Sequence, residues 1–163
     1  MTSSGAARHR CIYEARFPDD LARVRALFEE YAAGLGIDLG FQGFAEELAG
    51  LPGRYARPTG GVWLAVAGDA VVGCIALRPL DAERAEVKRL YVRPALRGSG
   101  AGRALAERAL AAAAGAGYRR VLLDTLPSMT GAIALYRSLG FAEVAAYYHN
   151  PVPDTLYLGR ELP

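Results

Sequence analysis

Apolar positions along this chain recur first at helical spacing and then at strand spacing. Ile12, Tyr13, Glu14 and Ala15 form a short strand-like segment, and Pro18-Asp19-Asp20 marks a helix start with acids in its first turn. Leu21, Val24, Leu27, Phe28 and Tyr31 follow at three- and four-residue steps. That spacing predicts one apolar stripe, with Gly34 and Gly36 expected to end the helix. A second short helix is expected over 43–49. The stretch from Leu51 to Gly61 carries too many prolines and glycines for regular structure and reads as a loop.

Strand patterning takes over at Val62. Segments 62–67 and 71–77 flank Gly68-Asp69-Ala70, which is hairpin chemistry, so the two are expected to pair antiparallel. Segment 86–92 extends this meander until Pro94 ends it. A helix over 100–114 then stops at Gly115-Ala116-Gly117, and 120–125 reads as a buried parallel strand. A last helix over 131–139, closed by Gly140, precedes terminal strands at 141–145 and 155–162.

Composition narrows the function classes. The chain has 163 residues, which suits one domain, expected over 10–163 behind a disordered tail at 1–9. Lys and Arg number 19 against 17 Asp and Glu, and a net charge of +2 offers no broad basic face for nucleic acid. Two cysteines, Cys11 and Cys74, argue against a disulfide framework or a cysteine-built metal site, so a cytoplasmic setting is expected. No apolar run marks Met1–Arg10 as a signal peptide or membrane anchor. His9 and His149 are far apart in sequence, and no metal is assigned.

The run Arg97-Gly98-Ser99-Gly100-Ala101-Gly102 sits between a strand and an alanine-rich helix. Glycines let the backbone approach a ligand closely, and the first amides of a helix lack intrahelical partners. With the helix dipole, and with Arg93, Arg97 and Arg103 close in sequence, the turn is suited to a pyrophosphate.

On these residues the chain resembles the GNAT superfamily of acetyl-CoA-dependent N-acetyltransferases. The segment from Leu90 to Gly102 is similar to the family's pyrophosphate motif, and Ala132–Phe141 is similar to its late helix and the strand entry behind it. The resemblance implies an α+β fold: a central mixed, mostly antiparallel sheet of about six to seven strands flanked by about four helices. It implies acetyl-CoA as co-substrate, bound by Leu90, Tyr91, Val92, Arg97, Gly98, Ser99, Gly100, Ala101, Gly102 and Arg103. The acceptor it implies is an amine, here expected to be a small molecule, and dimerisation is common in such proteins. Many relatives carry an asparagine where this chain has Met129, so that contact is not carried over.

Two residues take catalytic roles under the resemblance. An alkyl ammonium must lose a proton before attack, which at neutral pH costs about 4–5 kcal/mol. Glu86 stands where many members keep a catalytic glutamate and is the expected base; the alternative is a carboxylate paired with Lys88 or Arg89. Tyr136 is expected to protonate the leaving thiolate, the alternative being a core aromatic. Backbone N–H groups near Leu90–Val92 would polarise the thioester carbonyl. Tyr147, Tyr148 and Asn150 are candidate acceptor-lining residues, because a proline-braced aromatic loop supplies apolar contact and hydrogen bonds together, and Tyr31, Phe41 and Tyr55 are weaker candidates from the helical half.

Two rival readings remain. Gly98 and Gly100 begin a dinucleotide-type pattern with Asp124 near the ribose-binding position, but Arg103 occupies the third-glycine position. A fold relative that binds CoA without catalysis is the other. Cys74, inside an apolar run, reads as a core residue and not a nucleophile.

Overall fold

The computed structural model describes residues 10–163, so the tail expected at 1–9 lies outside the described residues. Eleven elements follow in order: β1 (Arg10–Glu14), α1 (Leu21–Leu35), α2 (Phe44–Ala49), β2 (Gly61–Ala67), β3 (Ala70–Pro79), β4 (Arg84–Val92), α3 (Ala101–Gly115), β5 (Arg120–Thr125), α4 (Thr130–Ser138), β6 (Ala142–Glu143) and β7 (Leu156–Glu161). The strands form one sheet in the order β1-β2-β3-β4-β5-β7-β6. Only the β4–β5 pairing is parallel. The expected mixed, mostly antiparallel α+β architecture is what the chain adopts.

Strand alternation sorts the core onto two faces. Trp63, Ile75, Val87, Val121 and Leu123 point to one side, where they pack with Leu105 and Ala109 of α3 and Tyr136 of α4. Val62, Leu64, Cys74 and Ala76 point to the other, against Val24, Leu27 and Phe28 of α1. The apolar stripe of α1 is thus its sheet-facing side. Cys74 is fully buried, and burial pushes its thiol up, so it is a core residue.

Three departures from the sequence expectation have a clear physical cause. Helix α1 runs through Gly34, since a single interior glycine costs only about 1 kcal/mol, and stops at Gly36, whose φ of 69° provides the left-handed cap. Strand β6 holds two residues, not five. Phe141 turns inward to meet the Tyr136 ring at 5.3 Å, and after the Val144 amide bonds the Tyr157 carbonyl the chain leaves the sheet. Finally, the expected loop at 51–61 contains a single 3₁₀ turn at Gly53–Tyr55, which buries Tyr55 edge-on to Phe28.

Candidate active site

Two irregularities of β4 create the site. First, β4 and β5 pair only at Arg84↔Arg120, Ala85↔Val121 and Glu86↔Leu122, and the strands splay beyond that point. From Val87 onward the β5-facing edge of β4 is unpaired and borders a cleft. Second, the β3–β4 register slips between Cys74↔Tyr91 and Ala76↔Lys88, so Arg89 and Leu90 together oppose Ile75. This bulge places Arg89 at φ 62°, a left-handed conformation costing of order 1–3 kcal/mol unless its surroundings enforce it.

The surroundings do enforce it. Arg89 is 3% exposed; Nε and Nη2 donate to the two carboxylate oxygens of Glu47 at 3.0 and 3.1 Å, and Nη1 donates to Gln42 at 3.0 Å. Its guanidinium lies over the rings of Tyr31 and Phe44 at 5.6 and 5.2 Å. Burial opposes its charge, but the Glu47 bonds prevail and hold its pKa above the ordinary value. The bulge also puts two consecutive side chains, Lys88 and Arg89, on the α1 face.

The cleft is a pocket lined by Tyr31, Lys88, Arg89, Asp124, Tyr136 and Asn150, with Leu35, Ile37 and Leu39 on the helical side. Asp124 Oδ2 accepts from the Tyr148 hydroxyl and, at 2.9 Å, from Asn150 Nδ2. Its Oδ1 takes no hydrogen bond among the described residues. Tyr136 is 5% exposed, and its hydroxyl likewise has no hydrogen-bond partner among them. Burial, reinforced by Tyr31 and Asp124, raises its pKa, so the group remains an O–H donor. Tyr31 is raised mainly by burial as well.

Glu86 is placed differently from the sequence expectation. It is 1% exposed and is not part of the pocket wall. Arg78 Nε donates to Oε1 at 2.8 Å, the Tyr147 hydroxyl donates to Oε2, and Lys88 Nζ stands 4.0 Å away. The pairing alternative comes closer to what is seen, with Arg78 as the main partner. Tyr147 therefore holds Glu86 and does not line the pocket, whereas Tyr148 and Asn150 act together on Asp124. Tyr55 donates to Glu47 at 2.8 Å and belongs to the core.

A second groove continues from this pocket toward the glycine turn, and Tyr31, Leu90, Met129 and Ala132 border both. Leu90, Tyr91, Val92, Arg97, Gly98 and Gly102 line it. Gly98 and Gly100 adopt φ of 80° and 87°, and Gly100 caps α3. A Cβ on Gly102 would meet Leu135 and Val92 only at 3.5 and 3.8 Å, so the protein's own packing does not demand glycine there. Its bareness leaves room on the groove side. The Ala101 amide bonds Ser99 Oγ at 3.4 Å. Of the residues the sequence assigns to this turn, Ser99, Gly100, Ala101, Arg103 and Arg93 are not part of the groove wall. Ala101 is buried. Arg103 bonds Glu107 and Ser138. Arg93 is tied to Glu30 of α1 and the Val71 carbonyl.

Sequence reasoning missed Asp124 and Lys88 as pocket residues. The available signal was a lone carboxylate closing the apolar run Val121-Leu122-Leu123 and a lysine inside an otherwise well-buried strand. Among the described residues no group of three or more His, Cys, Asp or Glu gathers, and no helix is long and apolar enough to cross a membrane.

Comparison with known proteins agrees with this geometry. The model of the acetyltransferase (GNAT) family matches residues 22–141. An uncharacterised N-acetyltransferase of Schizosaccharomyces pombe is 37% identical over 93% of this chain and 94% of its own length. An acetyltransferase structure from Streptococcus agalactiae superposes with a TM-score of 0.76 at 26% identity, covering 94% of this chain and 98% of that one. A Salmonella typhimurium acetyltransferase solved with its cofactor acetyl-CoA has a TM-score of 0.74 at 20% identity, over 94% of both chains. With the motif, the splayed sheet and these relatives in agreement, the chain belongs to the GNAT acetyltransferase family and is an acetyl-CoA-dependent acyltransferase.

Proposed function

We propose that the protein transfers an acetyl group from acetyl-CoA to a primary amine of a small molecule, directly within a ternary complex. The observation that carries this reading is the continuity of the two cavities: the glycine-turn groove runs along the open edge of β4 into a pocket holding one unengaged carboxylate oxygen and one unpaired phenol.

The groove fits the co-substrate chemically. The α3 N-terminus, Arg97 and the bare Gly98 and Gly102 suit a pyrophosphate, and the unpaired edge of β4 offers backbone hydrogen bonds to an extended amide-bearing arm. Bound there, acetyl-CoA supplies the activated acyl group. Asp124 is the base this geometry favours over Glu86, because it lines the pocket with Oδ1 unbonded among the described residues while Tyr148 and Asn150 fix the other oxygen. Tyr136 holds its proton, which supports it as the donor to a departing thiolate. No step needs an acyl-cysteine, and a reducing cytoplasm suits the two free cysteines.

The test is thiol release from acetyl-CoA by the purified protein with a panel of primary amines, alongside calorimetric titration with acetyl-CoA and NADH. Amine-dependent release that falls in Asp124→Asn supports the proposal. Acetyl-CoA binding with no release from any amine would make the protein a non-catalytic CoA-binding module, and binding of NADH alone would remove the reading altogether.

A further inference from the structure

Charges around the pocket pair off with one exception on each side. Arg78 is matched by Glu86 at 2.8 Å, and Arg89 by Glu47 through two bonds. What remains is the ammonium of Lys88 and the carboxylate of Asp124. Lys88 has a side chain only 3% exposed and lines the pocket, yet Nζ donates no hydrogen bond among the described residues. Its nearest anion, Glu86, stands 4.0 Å away with one oxygen on Arg78 and the other on Tyr147. Burial pushes the Lys88 pKa down, with Arg89 and Arg78 adding to that and Glu86 and Asp124 opposing it. A cation so placed lacks a close partner.

Register puts Lys88 opposite Asp124. Glu86 and Leu122 are the last paired residues of β4 and β5; two residues further along each strand, on the same face, stand Lys88 and Asp124. The strands have splayed by then, and the two groups do not close to ion-pair distance. Between them lies the pocket, with the apolar side chains of Leu35, Ile37 and Leu39 beyond.

We propose that the acceptor is an amino acid with an apolar side chain, its carboxylate held by Lys88 and its amine presented to Asp124. A molecule carrying both groups spans the gap and gives each unmatched charge its complement. A simple amine satisfies Asp124 alone and leaves Lys88 with no anion closer than Glu86 at 4.0 Å. An acceptor with a second cationic group would meet Lys88 and Arg89 as like charges. Lys88 is then a specificity-determining residue. This inference rests on the acyl-transfer reading above and adds the substrate class to it.

The experiment compares matched pairs that differ only in the carboxylate: leucine with isoamylamine, phenylalanine with phenethylamine, and methionine with 3-(methylthio)propylamine. Steady-state thiol release is measured for the wild type, Lys88→Met and Lys88→Arg. In the wild type each amino acid is expected to have the lower KM, by roughly tenfold to a hundredfold, the yield of one charge-assisted hydrogen bond. Lys88→Met is expected to collapse that ratio through the amino acid's KM, and Lys88→Arg to restore part of it. The wild-type ratio needs no folded variant. Equal or better use of the decarboxylated partner by the wild type overturns the proposal. So does a Lys88→Met variant that loses both members of a pair in equal proportion. Thiol release with simple amines but never with amino acids sinks this inference and leaves the acetyltransferase reading standing; release with no amine at all sinks both.

Discussion

Arg89 and Glu47 meet fork to fork, Nε on Oε2 at 3.0 Å and Nη2 on Oε1 at 3.1 Å, across a sequence separation of 42 residues. The pair fastens α2 to the bulge of β4, and the Tyr55 hydroxyl completes the Glu47 carboxylate. Removing one partner of a buried ion pair leaves the other charge uncompensated, at a cost of about 3–5 kcal/mol. Arg89→Ala is therefore expected to lower the urea midpoint by that equivalent, and Arg89→Lys to recover only part, because an ammonium cannot supply the two-pronged geometry. Equilibrium unfolding with an unchanged denaturant slope is the check.

Asp124 and Glu86 make opposite predictions. Asp124→Asn keeps the shape and hydrogen-bonding reach of the side chain but abolishes the basic oxygen, and kcat is expected to fall by about 10²–10⁴. Glu86→Gln weakens the anchor of Arg78 and Tyr147, so its main effect is expected on thermal stability, with a smaller change in kcat. Saturating-substrate rates and melting curves on both variants decide the assignment; a larger kcat loss in Glu86→Gln would return the base role to Glu86.

Tyr136 titrates above the ordinary phenol value because it is buried and faces Tyr31 and Asp124. Its proton is consequently still in place at about pH 10, where a free tyrosine is half ionised. Tyr136→Phe is expected to lower kcat while leaving the alkaline limb of the pH–rate profile where it was. A limb that shifts on removing the hydroxyl would mean that Tyr136 itself titrates there.

Asp20 provides a test of folding alone. Burial opposes its ionisation, but the Arg16 amide at 2.8 Å and the Tyr13 hydroxyl and Arg23 guanidinium at 2.9 Å outweigh it and hold the pKa below the ordinary value. With the folded value depressed, this stabilisation is complete above the unfolded carboxylate range and fades as pH falls through the folded value. Asp20→Ala is expected to cost about 1–3 kcal/mol near neutrality. The gap between wild type and variant should narrow below about pH 4, as chemical denaturation across pH will report.

Local rules were sufficient for most of the fold. Helical spacing locates α1, hairpin chemistry locates β2 and β3, and the glycine run locates the turn that opens α3. The sequence was silent on the bulge at Arg89 because the slipped register depends on pairing with β3, and on Glu47 because a contact 42 residues distant has no local signature. The same blindness affected Glu86. The family resemblance suggests a base there, while its partners Arg78 and Tyr147 arrive from β3 and from the connection before β7. Asp124, which the sequence offers only as the ribose-binding position of the dinucleotide reading, becomes a candidate base because the splay of β4 from β5 turns an ordinary strand end into a pocket wall.

The short parallel ladder between β4 and β5 divides the sheet as well as opening it. Three residue pairs join β1–β4 to β5, whereas β5 and β7 share six. Amide exchange should therefore resolve two protected islands, with weakened protection along the seam from Val87 onward. The pocket straddles that seam, Lys88 on one island and Asp124 on the other. A molecule seated there acts as a removable rivet, and its arrival should register as slower exchange on both strands at once, far beyond the few atoms it touches.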